Sequence, residues 1–179
     1  MKYVALLRGI NVGGNNKVNM RVLKTVFESL GFTNVSTYIN SGNVIFETNK
    51  TEFEKLVNDI ELAIATKFGF PVRVIVRDAA NIEKVCKAIP PEWTNDTHMK
   101  TDVLFLWDHY DSHTTLKLIH TNPDVDNLIY VSGAIIWNLD RAHYNSSSMH
   151  KFIGTDVYKH MTARNVNTVR KLASLLQAY

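Results

Sequence analysis

The sequence predicts an α+β fold in two subdomains, and three observations predict it. Period-two alternation and helical spacing succeed one another in the order β-α-β-β-α-β over residues 2–77. A polar, proline-led stretch over residues 90–101 then breaks the hydrophobic pattern and reads as a linker. Strand and helix patterns resume beyond it and end in a helix.

Each element has its own signal. Residues 2–8 are an apolar run that reads as a strand. Met20, Leu23, Phe27 and Leu30 recur at helical spacing, with Asn19 placed to cap that helix and Gly31 to end it. Residues 34–40 alternate Val35, Thr37 and Ile39 with Ser36, Tyr38 and Asn40, a strand pattern. Ser41-Gly42 is a tight turn, and residues 43–47 return as the partner strand. Thr51 and Glu54 have capping-box spacing ahead of a helix reaching Lys67. Residues 71–77 form a further strand. This order is the ferredoxin-like arrangement, a four-stranded antiparallel sheet with two helices on one face. A helix over 79–89, with Ile82, Val85, Cys86 and Ile89 on one face, completes a first subdomain over 1–89.

The second, smaller α+β subdomain occupies 102–179. It reads as a buried strand at 102–107, a short helix at 113–120 and a hairpin at 128–132 and 134–139. Helices follow near 147–152 and 167–177. One echo links the halves: YINSGNVIF (38–46) and IYVSGAIIW (129–137) are both hairpins centred on Ser-Gly. Because Ser-Gly is common turn chemistry, the echo reads as shared turn geometry rather than duplication.

Composition narrows the function classes. Hydrophobic residues are 45% and charged residues 21%, ordinary values for a soluble globular protein. No apolar run has membrane-span length, and Arg8 interrupts the first one too early for a signal peptide. The single cysteine permits no internal disulfide. A cytoplasmic protein without membrane contact is expected. The net charge is +3, but residues 1–27 hold Lys2, Arg8, Lys17, Arg21 and Lys24 and no acid. Residues 151–179 hold five basic groups against Asp156, so the body between is net acidic. Two basic ends that met would form a patch suited to phosphate or another anion.

The stretch LLRGINVGGNNKVNM (6–20) carries the main site signal. Gly9, Gly13 and Gly14 lie between a strand end and a helix start. Glycine accepts positive φ and lets backbone N–H groups approach a ligand, as in an anion nest. Arg8 and Lys17 add charge at the rims, and Asn11, Asn15 and Asn16 add donors that do not titrate. The spacing is neither a P-loop nor G-x-G-x-x-G. The competing reading is a long turn whose glycines and asparagines meet awkward backbone angles. INSGNV (39–44) supplies a second polar turn with Ser41, Gly42 and Asn43. TARNVNTVRKL (162–172) supplies a third segment, a helix start capped by Asn165 or Asn167 with Arg164 and Thr168 at its positive end. None of the three segments contains Asp or Glu, which suits an anion and not a metal.

Together these segments resemble the uncharacterised bacterial family called domain of unknown function 1697. Its R-G-I-N-V-G-G falls on 8–14, its T-Y-I-x-S-G-N on 37–43 and its late T-x-R-N on 162–165. Ala163 and Val166 stand where that family often has Thr and Trp. The resemblance implies a ferredoxin-like first subdomain followed by a second α+β subdomain, and it implies no activity.

No cofactor is expected, and no metal. His109 and His113 are four apart beside Asp108 and Asp111, but His109 lies at a strand end and no second pair follows. Cys86 sits on an apolar face, Ser41 has no His–acid partner nearby in sequence, and the aromatic pattern of an RNA-binding sheet is reduced to Phe46. The expected function is a binding module for a phosphate-bearing small molecule, such as a nucleotide, or for nucleic acid. One alternative is an enzyme acting on such a small molecule, with Tyr38 or a distant histidine as its only nameable acid or base. The other is a protein–protein adaptor whose asparagine-rich turns lock a junction.

Overall fold

The structure, a computed structural model, describes residues 1–178; Tyr179, the last residue of the expected second subdomain, lies outside it. The fold is α+β, with two four-stranded antiparallel sheets and accompanying helices. The chain separates into two compact units: Met1–Ala79 with the residues from Leu176 onward, and Ala80–Leu175. No helix among the described residues is long and apolar enough to cross a membrane.

In the first unit the order is β1 (Lys2–Leu7), α1 (Met20–Ser29), β2 (Thr33–Tyr38), β3 (Asn43–Glu47), α2 (Phe53–Phe68) and β4 (Val74–Asp78). The sheet order is β2-β3-β1-β4, with every neighbouring pair antiparallel. β1 takes a central place because its side chains from Tyr3 to Leu7 are all buried. Tyr3, Ala5 and Leu7 share one face of it, and Leu23 and Phe27 of α1 and Leu56, Ile60 and Ile64 of α2 join them in one core cluster. Phe46 is its aromatic centre, stacked on Phe32 at 4.6 Å and meeting Phe27 edge-on at 5.4 Å.

The helix ends follow local chemistry. Asn19 caps α1, its side chain accepting from the N–H groups of Arg21 and Val22. The capping box expected at Thr51 and Glu54 does not form. α2 starts at Phe53, its N-cap is Glu52 without a side-chain cap bond, and Thr51 therefore lies one residue outside the capping position.

The elements that fall wholly or mostly in the second unit are α3 (Ala79–Ala88), β5 (Met99–Leu106), β6 (Asn127–Val131), β7 (Ala134–Asp140), α4 (Met149–Phe152), β8 (Met161–Asn165) and α5 (Val166–Gln177). The short helix expected at 113–120 is a 3-10 helix over His113–Leu118. β5 begins at Met99 instead of residue 102 because Asp96 shapes its entry. The carboxylate oxygen Oδ1 accepts from the N–H groups of His98 (2.8 Å) and Met99 (2.9 Å). Neighbouring bonds pin the proline-led stretch, with the Thr101 hydroxyl on the Thr94 carbonyl and the Arg141 guanidinium on Asp96 and Asn95.

β8 is the element that periodicity does not reveal. It pairs with β5 from Asp102↔Asn165 to Leu106↔Met161, yet its sequence is MTARN. Thr162 and Arg164 are both buried, so polar side chains occupy positions that a strand pattern assigns to apolar ones.

The second sheet is ordered β6-β7-β5-β8, the order of the first with β5–β8 in place of β1–β4. The closing bonds match as well. The Leu7 N–H donates to the Gly42 carbonyl and the Leu106 N–H to the Gly133 carbonyl, both at 2.9 Å. One residue on, Arg8 N–H reaches the Arg73 carbonyl (2.9 Å) and Trp107 N–H the His160 carbonyl (3.3 Å). A hairpin turn alone does not dictate bonds to a third and a fourth strand. The Ser-Gly echo thus falls at equivalent turns of two sheets that share one strand order.

Asp126 organises the second core. Burial by itself would raise its pKa, but four donors outweigh burial and hold the carboxyl below the usual range. They are the Ser147 hydroxyl, the Ser148 N–H (3.0 Å), the Asn122 N–H (2.8 Å) and the fully buried Trp137 indole N–H (3.0 Å).

Two predictions follow from this packing. Gly42 has φ +87, and an added Cβ would lie 2.8 Å from Ile10 Cδ1 and from Leu7 Cβ. Gly42→Ala is expected to cost about 2–4 kcal/mol in urea unfolding. Gly13→Ala, at φ +59 with nothing within 4 Å, is expected to cost only about 1 kcal/mol. Asp126→Asn is expected to destabilise the protein by about 2 kcal/mol at pH 7. Because the folded pKa of Asp126 is depressed, its contribution is complete above about pH 5 and is lost as pH falls through the folded pKa, below about pH 4. Unfolding curves of both proteins from pH 7 to pH 2 should therefore converge on the acid side.

Candidate functional site

The polar stretch after β1 folds into a miniature hairpin. Asn15 N–H donates to the Val12 carbonyl (3.0 Å) and Asn11 N–H to the Asn16 carbonyl (3.1 Å). Gly13 and Gly14 take the two central positions at φ +59 and +79, the primed turn that needs positive φ at both. Asn11 and Asn16 flank it at φ +54 and +51, a region that asparagine tolerates better than most residues. The segment is thus an antiparallel turn and not an open run of successive N–H groups.

Asn11 ties this hairpin to the rest of the unit. Its Nδ2 donates to the carbonyls of Val18 (3.1 Å) and Asn40 (2.9 Å), and its Oδ1 accepts from the Val18 N–H (2.8 Å). Asn16 Nδ2 donates to the Gly9 carbonyl (3.1 Å). In the second segment Asn43 is fully buried, and its Nδ2 donates to the Tyr38 carbonyl (2.9 Å) and to Ser41 Oγ (3.0 Å). The first two segments therefore meet at one end of the first sheet. Most of their amides build that corner.

The corner encloses an open depression of about 610 Å³. Asn11, Gly14 and Asn40 line it, together with Lys17, Asn19 and Arg21 from the start of α1. Buried Val18 and half-buried Met20 complete the wall. Lys17 and Arg21 are exposed cations, and no carboxylate, imidazole or thiol is among the lining residues. Asn19 already accepts from the Arg21 and Val22 N–H groups (2.9 and 3.2 Å), so the first turn of α1 is partly closed by its own cap. Arg8 lies half-buried at the end of β1 and is not among the lining residues, whereas Gly9, Gly13, Asn15 and Asn16 are exposed around the hairpin.

Sequence reasoning passed over Arg21 and Asn40. The signal for Arg21 was its place in the first turn after the Asn19 cap. Asn40 is the variable position of T-Y-I-x-S-G-N and contributes its main-chain carbonyl, which no side-chain pattern encodes.

The third segment belongs to the second unit. Arg164 stands on β8 and not at the start of α5. It is buried, with Nη1 donating to Thr162 Oγ1 (3.0 Å) and to the Ala163 carbonyl (2.8 Å). Loss of water around the guanidinium pulls its pKa from 12.5 down to about 10, with Tyr158 acting weakly in the other direction, and it stays a cation at pH 7. Asn165 accepts from the Thr168 N–H (3.0 Å) and so caps α5, while Thr168 is buried. Asn167, the other expected cap, instead donates to the Asn95 carbonyl. The structure thus groups the Arg8–Lys17 stretch with Ser41, Gly42 and Asn43 in the first unit, and places Arg164, Asn165 and Thr168 in the second.

His109 meets the Tyr110 ring edge-on, and His113 the Tyr130 ring. Among the described residues no three His, Cys, Asp or Glu side chains gather as metal ligands. Burial raises the pKa of Cys86 against the opposing pull of Arg170, which keeps the thiol protonated.

The class so defined is an α+β protein with two sheets of one strand order and a cation-lined corner on the first. The chain belongs to the family of proteins of unknown function DUF1697, whose model matches residues 1–137. The matched stretch contains the first two motifs and stops before T-x-R-N. A solved structure described as a conserved bacterial protein from Streptococcus pneumoniae is similar over 98% of both chains, with 29% identity and a TM-score of 0.84. That likeness carries the fold across the late segment which the family match leaves out. No curated protein matches the sequence.

The bonds of Asn11 make a specific prediction. Asn11→Ala removes two donors and one acceptor, and it is expected to cost about 2–3 kcal/mol in thermal or urea unfolding. Hydrogen exchange at the Val18 amide should accelerate beyond what the global loss explains, because that N–H loses its acceptor.

Proposed function

We propose that the corner of the first unit binds a phosphate-bearing ligand, a nucleotide or a nucleic-acid backbone, and that the protein is a binding module. The observation that carries this reading is the pairing of Lys17 and Arg21 in a depression without a carboxylate. Two cations in a concave polar site set up a positive potential that no neighbouring acid in the lining cancels. Arginine adds planar donors that match phosphate oxygens, and lysine adds a compact charge. An enzymatic role needs a general acid or base within reach of the ligand, and none is among the lining residues, which supports binding over turnover.

Titration of the full chain with inorganic phosphate, a nucleoside monophosphate and a short single-stranded oligonucleotide tests the proposal by calorimetry or amide chemical shifts. Lys17→Ala and Arg21→Ala are each expected to weaken binding about fivefold to tenfold. Log affinity for the oligonucleotide should fall with log salt by about 0.7 per phosphate contacted. Absence of binding by all three probes, or affinities indifferent to both substitutions, would refute the proposal.

A further inference from the structure

We infer that Asn19 is a specificity-determining residue of this corner, its side-chain Nδ2 donating to the phosphate oxygens while its Oδ1 caps α1. The inference rests on the phosphate-binding reading above and adds to it a third ligand contact, one that carries no charge.

Three asparagines line the depression, and their side chains are engaged to different degrees. Asn11 is fully engaged, its Nδ2 serving the carbonyls of Val18 and Asn40 and its Oδ1 the Val18 N–H. Asn40 gives only its main-chain carbonyl, so no bond sets the direction of its amide. Asn19 is half engaged. Its Oδ1 accepts from the Arg21 and Val22 N–H groups at 2.9 and 3.2 Å, and its Nδ2 makes no hydrogen bond among the described residues. The oxygen and nitrogen of a carboxamide diverge from one carbon. Bonds that hold the oxygen on the main chain of α1 therefore turn the nitrogen away from it, with both of its protons still to donate.

The cations beside it are in the same condition. Lys17 and Arg21 stand two residues to either side of Asn19 and line the same depression. Among the described residues neither the ammonium nor the guanidinium has a partner, whereas Lys24, the next cation along α1, is paired with Glu28 at 3.7 Å. Apart from the Asn40 amide, the side-chain groups left over are an ammonium, a guanidinium and an NH2, all of them donors. Such a set fits oxygens that only accept, as those of a phosphate dianion do, and disfavours ligands that present ammonium protons.

The residue type at position 19 sharpens the assignment. Asparagine, aspartate and serine cap a helix about equally well, and aspartate adds favourable charge at a helix start. Stability alone does not call for asparagine. Aspartate would place a carboxylate between Lys17 and Arg21, and serine would bring the cap without the NH2. Asparagine caps, leaves the positive potential whole and still offers a donor.

The test uses two capping variants and one direct readout on the full chain, with inorganic phosphate and adenosine monophosphate as probes. Asn19→Ser and Asn19→Asp keep the cap and are expected to hold Tm within about 2 °C of the unaltered chain. In calorimetry Asn19→Ser is expected to weaken both probes about threefold to tenfold, and Asn19→Asp about tenfold or more. In the unaltered chain the Asn19 side-chain NH2 resonances should shift on titration with the midpoint that calorimetry gives. Those of Asn43, sealed in the β2–β3 turn, should stay in place. Binding by Asn19→Ser as tight as that of the unaltered chain, or an Asn19 NH2 signal unmoved at saturation, overturns the contact and leaves phosphate binding standing. If neither probe binds the unaltered chain, the phosphate reading itself falls and takes this inference with it.

Discussion

The close approach of Gly42 to the end of β1 is the contact from which the rest of the corner is built. The Leu7 N–H can reach the Gly42 carbonyl only because position 42 has no Cβ, and Ile10 fills the space that a side chain would need. With Ile10 buried, the chain leaves the sheet at a fixed point and turns back through the Gly13-Gly14 hairpin. Asn11 then stitches that hairpin to Val18 on one side and to Asn40 on the other. Since Val18 leads directly into Asn19 and α1, the same asparagine sets where Lys17 and Arg21 stand. A backbone approach in the sheet thus decides the placement of surface charge two turns of chain away.

Legibility in the sequence tracked how far each feature was local. α1 was readable from its apolar stripe and its Asn19 cap, and β1 and both hairpins from run length and turn residues. β8 was not, because Thr162 and Arg164 are buried polar groups, bonded to each other two residues apart, where a strand pattern expects apolar ones. The box at Thr51 and Glu54 failed for the opposite reason, since its spacing was right but the helix began one residue late. At the candidate site, glycine and asparagine were correctly placed at positive φ. The sequence could not show that Asn11 and Asn16 would turn their amides inward onto their own loop, and the nest expected there is a hairpin instead.

The first two motifs therefore consist mainly of builders. Asn43 is sealed inside the β2–β3 turn, Gly42 permits contact, and Asn11 cross-links. The exposed residues around them include Val12, Asn15, Lys17, Arg21, Ile39 and Asn40. A motif in which construction and recognition alternate residue by residue explains why its composition alone could not separate a turn from a binding site.

The matching closure of the two sheets has a further consequence. In the second unit the loop after β5 is also fastened to the facing hairpin, but by Asp111, whose carboxylate accepts from the Tyr130 hydroxyl (2.9 Å) and the Gly133 N–H (2.8 Å). The frame is kept while the fastener changes from an amide to an acid. A strand order used twice in one polypeptide can carry different loop chemistry in each half. The loop after β5 carries acid and imidazole and the loop after β1 carries cations, so that a repeated architecture presents two unlike surfaces.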